Sequence, residues 1–305
     1  VTMDNKIAFI FPGQGSQKVG MGKELYSQHR IARDVFDEID SELNFNLSKV
    51  IFEGPESDLK KTENTQPALM ALSVALSRVI EYESREKFNK IAHVICGHSL
   101  GEYSALCASN ILSLKNASKL LKIRGLAMQN AVSNLSTKMV AILGMDVEKV
   151  EEIISENPKN LVCEVANDNC PGQVVLSGHS KQVDLISDQC LKNGAKKSIK
   201  LNVSAPFHCK LMKSAADVME QALKNIEFNN IEIKFVSNYD AKVYEKFDDI
   251  KELLVRQICN KVRWRESISK IKNLNVDNIY EIGSGKVLVS SCPLSKKDEF
   301  SNKYW

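Results

Sequence analysis

Residues 91–104, I-A-H-V-I-C-G-H-S-L-G-E-Y-S, constrain this chain more than any other stretch. Apolar Val94-Ile95-Cys96 runs into Gly97-His98-Ser99-Leu100-Gly101, and a helix-forming run follows. That is a G-x-S-x-G nucleophile elbow with a strand before it and a helix after it. Ser99 then sits on a sharp turn with strained dihedrals, and side chains at Gly97 and Gly101 would collide with backbone. A helix starting at Ser99 directs its free N–H groups at whatever the serine attacks. The bare pentapeptide is also a plain Gly-Ser turn; the flanking elements favour catalysis.

Taken in order, residues 6–11 read as a buried strand that enters Pro12-Gly13-Gln14-Gly15-Ser16-Gln17. A dinucleotide fingerprint fails there, because Lys18 stands where the third glycine belongs. The loop is either a simple turn or a site lining built from its N–H groups and Gln14. Residues 24–43 have one helical pattern. Thr65 and Pro67 predict a helix start, and Ser113 predicts the cap of a helix over residues 114–132 that carries Arg124. After residue 136 the rhythm becomes strand 139–143, helix 147–155, strands 161–166 and 173–177, helix 180–191 and strand 197–203. That β-α-β-β-α-β order is the ferredoxin-like pattern. It predicts a small α+β domain, residues 134–203, inserted into a larger α/β domain made of residues 1–133 and 204–305. In the larger domain, residues 210–223, 250–259 and 265–274 read as helices, and 233–237 and 278–282 as strands. Gly283-Ser284-Gly285-Lys286 resembles a phosphate loop only superficially, since Tyr280 and Val287 occupy the diagnostic positions. The tail from Pro293 is charged and reads as loosely held, and Val1-Thr2 read as a cloning remnant.

Composition narrows the function. A net charge of +3 is too small to argue for nucleic acid, and the longest apolar stretch, residues 68–76, is too short to span a membrane. Eight cysteines form neither C-x-x-C nor a zinc-spaced cluster. They read as core residues of a cytoplasmic protein without signal peptide, metal or permanently bound cofactor.

A serine hydroxyl needs a base. The five histidines are His29, His93, His98, His179 and His208. His29 lies in a polar helix, His93 at the far end of the elbow strand, and His179 in the insertion. His98 neighbours Ser99, but the sharp turn directs its side chain away. His208 remains, after the Pro206-fixed turn; helix capping is its alternative role. The aspartates between Ser99 and His208, Asp146, Asp168, Asp184 and Asp188, all fall in the insertion, and no Asp-Gly dipeptide occurs. A backbone carbonyl is left to orient the histidine.

Several motifs occur together in order: Phe11-Pro12-Gly13-Gln14-Gly15-Ser16-Gln17, Gly97-His98-Ser99-Leu100-Gly101-Glu102-Tyr103, Arg124-Gly125, Ala205-Pro206-Phe207-His208, and Gln257 with Val262-Arg263-Trp264. From residue 6 to 288 the chain closely resembles the malonyl-CoA:acyl-carrier-protein transacylase family. The resemblance implies a hydrolase-like parallel-sheet core with a ferredoxin-like insertion. It implies ping-pong malonyl transfer from malonyl-CoA, through Ser99 with His208 as base, to the phosphopantetheine of holo acyl carrier protein. It assigns the oxyanion hole to the N–H groups of Gln14 and Leu100, and the histidine's acceptor to the Gln257 carbonyl. Arg124 would hold the malonyl carboxylate, where an acetyl group would leave the charge unpaired, roughly a thousandfold in discrimination. Phe207 would tighten the pocket, with Met128, Asn167 and Asn238 nearby. A monomer is expected. Lys115, Lys119, Lys122, Lys196, Lys197 and Lys213 are candidate contacts for an acidic carrier protein, or simply a solvated face. The rival functions are a serine hydrolase or thioesterase on the same scaffold, and a silent docking module for carrier protein.

Overall fold

The computed structural model describes residues 5–158, 160–247 and 249–291. Ile7–Phe11 (β1) is apolar throughout and buried from Ala8 onward, as a strand covered on both faces must be. Two helices follow, α1 (Lys23–Gln28) and α2 (Arg30–Leu43), where the pattern predicted one. The break falls at His29, whose extended backbone (φ −120°, ψ 113°) ends the first helix and opens the second. The bend lets the Tyr26 ring meet Phe36 at 5.9 Å and Phe52 at 5.1 Å. Next come α3 (Leu47–Glu53), α4 (Glu56–Leu59) and the long, mostly buried α5 (Thr62–Ser84). Helix α5 starts at Thr62 rather than at the proline. Asn64 and Thr65 bond the carbonyls of Asp58 and Leu59, which holds an extra turn ahead of Pro67. Short α6 (Phe88–Ile91) feeds β2 (Ala92–Gly97), and α7 (Gly101–Ala108) follows the elbow. Then α8 (Leu114–Asn130) opens at Ser113, whose hydroxyl accepts from the Asn116 N–H as an N-cap does.

The next stretch forms a separate four-stranded antiparallel sheet, order β4-β5-β3-β6. Its strands are β3 (Thr137–Leu143), β4 (Cys163–Cys170), β5 (Gln173–His179) and β6 (Lys197–Lys200). Helices α9 (Val147–Glu156) and α10 (Ser180–Lys192) pack on it over a core that includes Ile142, Val150, Leu176 and Ile186. Strand β4 runs four residues beyond the predicted end at 166. Its middle also pairs on the side away from β5: Val262 donates to Ala166 O and accepts from Asp168 N–H. Strand β6 stops at Lys200 rather than 203, with mostly exposed side chains.

The chain returns through a 3-10 turn (Lys210–Met212) to α11 (Lys213–Leu223). Strands β7 (Lys234–Val236) and β8 (Val243–Tyr244), helices α12 (Ile250–Cys259) and α13 (Trp264–Lys272), strand β9 (Asn278–Glu281) and helix α14 (Val287–Ser291) complete it. The tail from Pro293 and Val1-Thr2 lie outside the described residues. The large sheet has the order β8-β7-β2-β1-β9; β7, β2, β1 and β9 are parallel, and β8 is antiparallel on the edge. No described helix is long and apolar enough to cross a membrane.

The register explains where a site can form. Phe11 pairs with Gly97 and Cys96 with Val236, so β1, β2 and β7 end side by side. Loops leaving the carboxyl ends of parallel strands gather at one edge, where open α/β sheets place their ligands. Asp168 ties the small sheet to that edge: both its oxygens accept from Arg265 at 3.1 Å, and its side chain is 2% exposed.

Gly125 fixes a second close approach. A Cβ there would come within 2.5 Å of Glu63 Cα and 2.6 Å of Thr62 O, so only glycine lets α8 lie this tightly on α5. Gly125→Ala is expected to cost about 1–3 kcal/mol in urea unfolding through forced separation of the two helices. An unchanged midpoint would mean the crossing is looser than described.

Candidate active site

Ser99 has φ +54°, a left-handed conformation that serine rarely adopts. The two flanking glycines are what permit it. A Cβ on Gly97 would lie 1.9 Å from the Gly101 carbonyl carbon, and one on Gly101 would lie 2.3 Å from Phe11 O. The strain also places the helix start at Gly101 rather than at Ser99, because a residue with positive φ cannot be the first helical one.

Asn238, just past β7, holds the elbow from below. Its side-chain oxygen accepts from Ser99 N–H at 2.7 Å, and its NH2 donates to Gly97 O at 2.6 Å. It is fully buried. Asn238 is therefore not a pocket residue, as the sequence suggested, since both ends of its amide are used on the turn itself. Ser99 N–H is thereby committed and is not free to face an oxyanion. The N–H groups of Gln14 and Leu100 have no hydrogen-bond partner among the described residues. Gln14 follows Gly13, where a Cβ would come 2.7 Å from His98 O, so the two loops touch.

His208 Nε2 lies 2.8 Å from Ser99 Oγ, and its Nδ1 lies 2.8 Å from the Gln257 carbonyl oxygen. A carbonyl can only accept, so Nδ1 carries the proton and the Nε2 lone pair faces the serine hydroxyl. Burial first, and the Arg124 charge second, push the imidazole down from 6.5 to about 3. The resting ring is neutral and ready to take a proton. His98 turns elsewhere, to Asn169 Oδ1 at 3.0 Å and toward the Trp264 ring.

Arg124 reaches the same point from α8. It is 1% exposed, and its Nη2 donates to Ser99 Oγ at 3.2 Å and to Gln257 Oε1 at 2.7 Å. Nη1 donates to Gln66 Oε1 at 2.8 Å, and buried Nε has no partner. No acidic side chain among the described residues touches this guanidinium. Met128 accepts from Gln66 Nε2 at 3.5 Å, next to the amide that meets Arg124. Phe207 is buried beside His208. Asn167 is buried on β4, in the bridge to Val262, away from the Ser–His–Arg cluster's hydrogen bonds.

Sequence reasoning missed three partners. Gln66 is in the first half of α5, Glu102 follows the elbow, and the Gln257 side chain acts as well as its carbonyl. Gln257 Nε2 donates to Ser99 O at 3.0 Å and to Glu102 Oε2 at 2.6 Å. The signal for Glu102 was available: a charged residue directly after G-x-S-x-G in an otherwise apolar helix. Burial raises its carboxyl to about 8, against the pull of the Asn238 and Gln257 donors and of Arg124. A 460 Å3 cleft between α9, β4 and the Asn260-Lys261 turn opens onto His208. Three of the candidate carrier-protein lysines are paired. Lys119 pairs with Glu42, Lys122 with Asn64 and Lys213 with Asp217. No described group of three His, Cys, Asp or Glu side chains could hold a metal.

A serine on a strand–helix elbow, a neutral histidine oriented by a carbonyl and a buried guanidinium facing the hydroxyl define an enzyme of acyl transfer. The chain belongs to the acyl transferase domain family, whose model matches residues 8–288. It is 45% identical over 289 residues to the malonyl CoA-acyl carrier protein transacylase of Bacillus subtilis strain 168, covering 93% of this chain and 88% of that one. The crystal structure of acyl-carrier-protein-S-malonyltransferase from Bartonella henselae superposes with TM-score 0.90 at 44% identity, over 94% of this chain and 91% of that one. A type II polyketide synthase acyl-carrier protein in complex with its malonyl-transacylase matches at TM-score 0.89 and 38% identity, over 93% and 91% of the chains.

The His208 environment has a direct consequence. An unfolded imidazole protonates below 6.5 while the folded one stays neutral toward about 3, so folding stability falls as pH drops through that window. Labelling of Ser99 by an uncharged fluorophosphonate, timed by mass spectrometry, is expected to stay on its plateau as pH passes 6.5. An inflection at the ordinary imidazole value would show that the ring is solvated.

Proposed function

We propose that the protein transfers malonyl from malonyl-CoA to the phosphopantetheine thiol of holo acyl carrier protein, through a malonyl ester on Ser99. The observation that carries this is Arg124, a buried guanidinium in hydrogen-bond contact with Ser99 Oγ and without a carboxylate partner. The similarity to malonyl CoA-acyl carrier protein transacylases supports it.

Ser99 Oγ attacks the thioester carbonyl as His208 Nε2 takes its proton. The oxyanion forms against the Gln14 and Leu100 N–H groups. Its negative charge compensates the new imidazolium, which the resting site disfavours. The C–S bond then breaks, and CoA leaves as a thiol with the proton from His208. In the second half His208 takes the proton of the pantetheine thiol, and the thiolate attacks the ester. Ser99 Oγ leaves and recovers the proton. Throughout, Arg124 holds the free carboxylate with charge-assisted hydrogen bonds, and Phe207 limits the room around it.

On this reading the large sheet with its elbow is a hydrolase-like core made of residues 1–133 and 204–305. The four-stranded sheet of residues 134–203, order β4-β5-β3-β6, is a ferredoxin-like insertion. The histidine's acceptor is a carbonyl rather than a carboxylate, which separates the site from a Ser-His-Asp hydrolase. The protein works in the cytoplasm as a monomer. The cleft beside His208 and the lysines of residues 196–197 and 210–213 are where a carrier protein would approach.

Mass spectrometry after mixing with malonyl-CoA is expected to show a malonyl adduct on Ser99 that holo carrier protein, not water, removes. If no adduct forms, or only water removes it, the transferase reading fails. Arg124→Ala is expected to lower malonyl transfer by roughly a thousandfold and acetyl transfer far less. Equal losses would make Arg124 merely structural.

A further inference from the structure

Glu102 is a buried carboxyl that the transfer chemistry does not use. It is 1% exposed, on the first turn of α7. Oε1 accepts from the Asn238 backbone N–H at 2.7 Å, and Oε2 accepts from Gln257 Nε2 at 2.6 Å. Both contacts are made as acceptor, which favours the carboxylate, while burial opposes it and raises the carboxyl to about 8. Glu102 does not touch Arg124, but one side chain connects them. Gln257 Nε2 faces Glu102 and the Ser99 carbonyl, and its Oε1 faces Arg124 Nη2. Reversing that amide would put NH2 against a guanidinium donor and oxygen against two acceptors. This orientation is therefore the one without like facing like.

We propose that Glu102 is a positioning residue for substrate selection: by fixing which way the Gln257 amide points, it sets where Arg124 meets the substrate's carboxylate. The inference rests on the malonyl reading of Arg124 and adds the group that holds the selector in place.

The chemistry of an isosteric change shows why. In Glu102→Gln the new amide has one oxygen for two donors. The Asn238 N–H is backbone and cannot turn away, so it retains the oxygen. The new NH2 then faces Gln257, whose side chain can turn and offer its oxygen, giving up its bond to the Ser99 carbonyl. Its own NH2 swings onto Arg124 Nη2, donor against donor. The guanidinium keeps Gln66, loses Gln257 and shifts away from the Ser99 hydroxyl. The Gln257 backbone carbonyl does not move in this exchange, so His208 and the Ser99 hydroxyl keep their contact.

The test is a cycle of Glu102→Gln, Arg124→Gln and the double variant in the full chain. Thermal midpoints are measured without substrate, alongside fluorophosphonate labelling and transfer of malonyl and acetyl from CoA to holo carrier protein. Expected for Glu102→Gln is labelling within about threefold of the unsubstituted protein and a loss of roughly tenfold or more in malonyl-over-acetyl preference. In the Arg124→Gln background the same change is expected to cost no further malonyl transfer. The midpoint of the double variant is expected above that of the sum of the two single losses, because both changes disturb the same Gln257 amide. Additive midpoints, or equal loss of labelling, malonyl and acetyl transfer, overturn the proposal. If Glu102→Gln does not fold, the double variant decides: recovery of folding supports the coupling, and its absence overturns it. A malonyl adduct on the unsubstituted enzyme would meanwhile leave the transferase reading standing.

Discussion

The buried charge of Arg124 is the constraint around which the site is built. A guanidinium taken out of water costs several kcal/mol unless its donors are met. Here two amide oxygens and one hydroxyl meet three of them, and none of those acceptors carries a full charge. The arrangement is stable enough to hold the side chain and leaves its charge short of a contacting anion. Such a site responds strongly to an arriving carboxylate, because burial strengthens the interaction that water would weaken.

Each acceptor comes from a different part of the chain, so the charge depends on the packing of the whole large domain. Gln66 arrives because Gly125 lets α8 lie against α5. Gln257 arrives on α12, and the same residue orients His208 with its backbone carbonyl. The serine arrives on a strained turn, pinned by Asn238 from the adjoining strand end. Base, nucleophile and selector therefore share one hydrogen-bond network, joined at Gln257.

Much of this was legible beforehand, and the misses have physical causes. Strands β1 and β2, the elbow, the Ser113 cap and the alternation from β3 to β6 all follow from local periodicity and glycine placement, which act within a few residues. The break at His29 and the early start of α5 at Thr62 did not follow from it. Both are set by packing partners elsewhere: the Tyr26–Phe36–Phe52 cluster in one case and the carbonyls of Asp58 and Leu59 in the other. Asn238 looked like a pocket residue because nearness in a motif says nothing about which way an amide faces. Gln66 was invisible as a site residue, and the charge of Glu102 after the elbow pointed to burial but not to a partner, since the partners lie 58 and 155 positions away.

By itself, then, the sequence determined the elements that carry the chemistry: a serine that must be strained, glycines that must be small, one histidine left for the base and an arginine in the motif Arg124-Gly125. The strained serine and small glycines are consequences of covalent structure and local sterics. The tertiary structure decided what the elements do together. It chose the tautomer of His208 through a carbonyl 49 residues on, lowered its proton affinity by burial, and turned one glutamine so that it serves base, nucleophile and selector at once. Hydrogen-bond direction and desolvation depend on the surrounding atoms, and only the folded chain supplies those.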